Sequence, residues 1–124
     1  MKEVFAVFIG GGLGSITRFA IGKWVNTWHN FNFPFATLLV NVVACFALGL
    51  IIGLADHKQI LNPTTRLFWA VGFCGGFSTF SAFSNDALSL LQQGHNSSLI
   101  VYVLGSMLLC VAATFIGLLI VQRF

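Results

Sequence analysis

Four runs of apolar residues, 4–22, 33–55, 66–91 and 98–121, take up most of this chain and leave it one class of fold. About 20 apolar residues suffice for a helix to cross the hydrocarbon of a bilayer, and each run reaches or approaches that length. Only 7% of the 124 residues are charged, whereas soluble domains carry about 25%. So few charges cannot cover a water-soluble fold. The chain reads as an all-α integral membrane protein, one transmembrane domain of four spans joined by short loops.

Three loops are expected: Lys23 to Asn32 with Trp24, Trp28 and His29; Asp56 to Thr65 with His57, Lys58 and Pro63; and Gln92 to Ser97 with Gly94 and His95. The tryptophans suit the interfacial belt, and Pro34 suits the first turn of the second helix. Lys2 ahead of an apolar run resembles the start of a signal peptide. Arg18 interrupts the tail of that run and no A-x-A pattern follows, so residues 4–22 read as a span. No soluble domain, low-complexity tract or internal repeat stands out.

The formal charge of +3 comes from scattered basic residues without a stripe, so nucleic acid is not an expected partner. With four spans both termini share a side. That side would hold Lys2, Lys58, Arg66 and Arg123, against Arg18 and Lys23 on the other. This is a weak positive-inside bias. A chain so balanced is open to insertion in both orientations, and opposite copies could pair as an antiparallel dimer.

The third run contains Gly72-Phe73-Cys74-Gly75-Gly76-Phe77-Ser78-Thr79-Phe80-Ser81-Ala82-Phe83-Ser84. Glycine is a poor helix former, and Ser and Thr side chains compete for backbone hydrogen bonds. The run, longer than a straight crossing needs, is expected to break its helix in mid-membrane. Irregular backbone at that depth survives only where protein or a water-filled path covers it.

Several polar residues lie within the spans. Asn41 either bonds between helices or donates into a polar path, with Thr37 one turn earlier on the same face. Tyr102, Ser106, Cys110 and Thr114 are spaced by four and form one stripe, which could be packing glue or a track of donors. Phe80 and Phe83 are three apart; with 14 phenylalanines in the chain they read first as packing residues, although ring edges carry positive potential that would attract a small anion without trapping it. Arg18 is a topological anchor that snorkels to the interface, or a cation drawing anions in. Gly10, Gly11, Gly12 and Gly14 serve close helix packing or access to a pore. Asp86 follows the glycine–hydroxyl run and could cap or pair near it. Cys45, Cys74 and Cys110 are far apart without CxxC spacing and read as buried apolar residues. The histidines show no metal-ligand spacing. No nucleophile–base pair or phosphate loop argues for an enzyme.

The 72–84 run resembles the third-span signature of the Fluc fluoride channels, also called CrcB proteins, approximately G-F-x-G-G-x-T-T-F-S-T-F-S. A glycine-rich first span ending at Arg18 and Asn41 in Thr37-Leu38-Leu39-Val40-Asn41 extend the resemblance to the whole chain. The resemblance implies an antiparallel dual-topology homodimer with two pores in a bacterial inner membrane, passively exporting fluoride. It implies that Phe80 and Phe83 form the aromatic box, Asn41 donates to the anion, and Arg18 serves the vestibule. Ser81, Thr37, Tyr102, Ser106, Cys110 and Thr114 would complete the pore. It further implies a structural sodium ion at the dimer interface, held by the backbone carbonyls of Gly75 and Ser78. Two departures stand out: Ala82 replaces a hydroxyl residue, and Cys110 replaces a common serine with a weaker donor. The rival readings are a small dimeric multidrug exporter, which the lack of a central carboxylate disfavours, and a purely structural membrane subunit.

Overall fold

The computed structural model describes residues 1–28 and 32–124, so His29 of the first expected loop lies outside the described residues. Among the described residues every regular element is helical. The helices are α1 (Lys2–Asn26), α2 (Phe35–Ile52), α3 (Pro63–Arg66), α4 (Gly75–Phe77), α5 (Phe80–Gln92) and α6 (Asn96–Arg123). Wider π-helical turns continue α2 through Gly53–His57 and link α3 to α4 through Leu67–Cys74. Four stretches are long and apolar enough to cross a membrane: Lys2–Asn26, Phe35–His57, Pro63–Gln92 and Asn96–Arg123.

The helices overrun several expected ends, each for a local reason. α1 passes Gly22 and absorbs Lys23 to Asn26, because no proline stops it and Lys23 suits the negative end of the helix dipole. Thr27 closes it, donating from Oγ1 to the Trp24 carbonyl at 2.6 Å. The third stretch starts at Pro63 inside the expected loop, because Asn62 caps it: Oδ1 accepts the Thr65 N–H at 2.8 Å, and proline suits the first helical position. Between the second and third stretches Arg66 pairs with Asp56 at 3.1 Å in an exposed contact, a pair of little energetic weight. Gly94, with φ of 77°, makes the last turn before α6.

Packing within the bundle depends on missing side chains. α1 lies against the Leu67–Cys74 turn and α4, and α2 lies along α6. A Cβ on Gly10 would collide with the Phe68 carbonyl oxygen, one on Gly14 with that of Phe73, and one on Gly76 with that of Gly11. Gly49 of α2 meets the Thr114 carbonyl in the same way, and Gly117 of α6 meets that of Phe46. In lipid, where apolar burial drives little, such close backbone approach supplies the van der Waals contact that associates helices. Gly10 and Gly14 of α1 are therefore packing residues, whereas a methyl group added at Gly12 or Gly22 would meet nothing within 4 Å. Val40, Ala44 and Phe77, joined by Ile21 and Phe73, form the small core between α1, α2 and the third stretch. Phe5, Phe8, Leu108 and Val111 stand outward on α1 and α6.

Candidate functional site

Helix α4 ends at Phe77 and α5 starts at Phe80; between them Ser78 (φ −77°, ψ 159°) and Thr79 (φ −154°, ψ 119°) are extended. Hydroxyls and an amide take over the hydrogen bonds there. Ser78 Oγ donates to the Cys74 carbonyl at 2.7 Å. Thr79 Oγ1 accepts the Ala82 N–H at 3.1 Å and so caps α5. Asn41, reaching from α2, holds both backbone groups of Thr79: Oδ1 accepts its N–H at 2.8 Å and Nδ2 donates to its carbonyl at 3.2 Å. Of the two readings of Asn41, the interhelical bond is made, and one Nδ2 hydrogen is still available to a further acceptor.

These substitutions have a consequence for two carbonyls. In an uninterrupted α-helix the Gly75 carbonyl would accept from Thr79 and the Ser78 carbonyl from Ala82. Both N–H groups are directed elsewhere, to Asn41 and to the Thr79 hydroxyl. Gly75 and Ser78 lie together on the wall of a small cavity of about 110 Å³. The intervening Gly76 carbonyl is served by Arg18 Nε at 3.2 Å and Ser15 Oγ at 3.4 Å. Arg18 therefore turns inward onto the third stretch.

A cavity of about 270 Å³ opens beside the extended pair. Asn41 and Cys45 of α2, Phe80 and Phe83 of α5, and Ser106, Met107 and Cys110 of α6 line it with Ser78 and Thr79. Ser106 is only 6% exposed, and its Oγ has no hydrogen-bond partner. Phe80 is 79% exposed, and its ring lies 5.5 Å from that of Phe83, which in turn lies 5.1 Å from Tyr102. On the other side of Thr79 a second cavity of about 250 Å³ is lined by Arg18, Lys23, Asn26, Thr37 and Ala82. Thr79 is common to both cavities, so one is basic and the other mostly apolar across a shared wall.

The expected stripe on the last span divides. Ser106 and Cys110 face the larger cavity. Tyr102 is fully buried and donates its hydroxyl to Asp86 Oδ2 at 3.1 Å. Thr114 donates back to the Cys110 carbonyl of its own helix at 3.0 Å. Thr37 belongs to the basic cavity, and Ser81 Oγ lies 3.2 Å from Thr79 Oγ1. Sequence reading passed over Cys45, Met107 and Thr79 as lining groups. Cys45 is four residues beyond Asn41 on the same helix face, a spacing that could have found it. Met107 lies one turn before Cys110 on α6, a spacing of the same kind.

Comparison with known proteins adds the lineage. The family model described as CrcB-like protein, Camphor Resistance (CrcB), matches residues 5–118. A protein of Azobacteroides pseudotrichonymphae named Fluoride-specific ion channel FluC is 36% identical over 124 residues, covering 100% of this chain and 99% of its own length. Its namesake from Rhodospirillum centenum is 40% identical over 122 residues, covering 98% of this chain and 97% of its own. Another from Phocaeicola vulgatus is 36% identical over 118 residues, with 95% and 97% covered. With four apolar helices of membrane-spanning length and matches that run nearly end to end, this multi-pass membrane chain belongs to the CrcB-like family.

Proposed function

We propose that this protein is a passive fluoride channel, not an enzyme, and that the third stretch acts as a helix interrupted within the membrane to form the ion path. Fluoride is small and strongly hydrated. A path for it must replace water with hydrogen-bond donors while avoiding a fixed cation that would hold the ion. The larger cavity offers that mixture: the Asn41 amide, the Ser106 hydroxyl, the Cys110 thiol and the rings of Phe80 and Phe83. The observation that carries the reading is Ser106, a buried hydroxyl without a protein partner on the cavity wall. An unsatisfied buried polar group is costly, and a passing anion is a partner that would justify it. The names of the full-length relatives point to the same ion. Arg18 and Lys23 on the basic cavity would raise the local anion concentration.

In this reading two copies of opposite orientation form an antiparallel homodimer with two pores, in keeping with the small basic-residue imbalance between the two sides. The host is a bacterial inner membrane, whose inside-negative potential drives fluoride outward. The carbonyls of Gly75 and Ser78, deprived of their helical donors, fit a hard monovalent cation such as sodium, which takes oxygen ligands. When bound, that ion supplies a fixed positive charge near the path. Arg18 engages the carbonyl of the intervening Gly76.

Reconstitution tests the proposal. Liposomes holding the protein should release fluoride under a valinomycin-set potential without a proton gradient. Release that demands a proton gradient would favour an exporter, and no release at all would favour a structural subunit.

A further inference from the structure

We propose that Cys45, Cys110 and Met107 form a binding site for a soft, thiophilic metal ion on the wall of the larger cavity. Cys45 sits on α2 and Cys110 on α6, two helices that approach to backbone contact at Gly49 and Gly117. Cys45 is one turn from Gly49, on the face of α2 that approaches α6. Both line the 270 Å³ cavity, and Met107, one turn before Cys110, lines it as well. Three sulfur-containing residues from two helices therefore border one open space.

The donor set selects the metal. Thiolate and thioether sulfur favour soft cations, whereas carboxylate and carbonyl oxygen favour hard ones. No carboxylate or imidazole lines this cavity. Mercuric ion would bind by replacing both thiol protons: two S–Hg bonds form, two S–H bonds break, and both protons leave to water. The product carries no net charge, which suits a mostly apolar wall where a lone charge would be expensive. The Met107 thioether can approach as a third, weaker ligand. Cys74 is the competitor: it shares a smaller neighbouring cavity with Cys45 but does not line the larger one.

The test uses full-length protein in detergent with mercuric chloride as the only added metal. Binding is read from the ultraviolet thiolate-to-mercury charge-transfer band and from competition with a small dithiol. Wild type and Cys74→Ala should bind one ion per chain with equal affinity. Cys110→Ser and Cys45→Ala should lose about tenfold or more, since even an outer-shell partner can contribute that much; Met107→Leu should lose less. Unchanged affinity in Cys110→Ser, or loss of binding in Cys74→Ala, overturns the site. Inhibition of fluoride flux by the same ion rests additionally on the proposed conduction path. Binding without inhibition would overturn the path at this wall and leave the metal site standing.

Discussion

Asn41 holds Thr79 by both ends of its peptide unit, and an aspartate there would keep only the bond from the Thr79 N–H. The second carboxylate oxygen would face the Thr79 carbonyl and place a negative charge on the cavity wall. Leaving a buried partner unsatisfied costs about 1–3 kcal/mol, so Asn41→Asp should unfold at lower temperature and conduct little or no fluoride. Ser106→Ala should behave differently. Its hydroxyl has no protein partner to lose, so thermal stability should hold or rise slightly while fluoride flux falls. A flux equal to wild type in Ser106→Ala would remove the observation on which the proposed function rests. Phe80→Ile should also fold normally, because the ring is exposed, and its flux should drop severely. Of these residues, the amide could be picked out in the sequence as a polar exception within a span, whereas the aromatic pair, two of 14 phenylalanines, stood out only through the family resemblance. The partner of Asn41 could not, because a side chain's reach across 38 positions of chain depends on how two helices cross.

The helices were legible where a local sum decides them. Runs of apolar residues gave their number, and a capping asparagine with Pro63 explains why the third stretch begins earlier than hydropathy indicates. Their contacts depend on glycines whose importance is invisible in any single helix. Gly49→Ala would drive a methyl into the Thr114 carbonyl, and Gly117→Ala would do the same at Phe46. Overpacking of this kind costs about 1–3 kcal/mol, and the two backbones would have to separate. Gly12→Ala is the matched control: it meets nothing within 4 Å, and removing a helical glycine gains up to about 1 kcal/mol. Thermal unfolding in detergent should rank Gly12→Ala at or above wild type and both α2–α6 variants below it.

At the scale of the whole molecule the proposal joins two orientations, a cation and an ion path. If both orientations occur, a cysteine placed at Gln59, in a background without the three native thiols, should react with an impermeant reagent from outside in about half the copies, as a nearly balanced charge bias allows. Labelling of all or none would refute dual insertion. Exchanging sodium for a bulky organic cation during purification should lower the unfolding temperature if the Gly75 and Ser78 carbonyls hold the ion, because a ligand stabilises only the folded state it binds. Equal stability in both salts would set that role aside.

The linear chain was sufficient to determine that it is helical, apolar and four spans long, since hydropathy, capping and helix propensity add up over neighbouring residues. It also marked 72–84 as a weak place in the third run, within which the extended Ser78 and Thr79 fall. Only the tertiary structure decided which polar groups share a cavity. It turned Tyr102 toward Asp86 and Arg18 toward Gly76, left Ser106 without a partner, and placed Cys45 and Cys110 on the wall of one cavity. Those outcomes depend on distances between residues far apart in sequence. Helix crossings set those distances, and here the crossings are set by glycines pressed against the carbonyls of other helices.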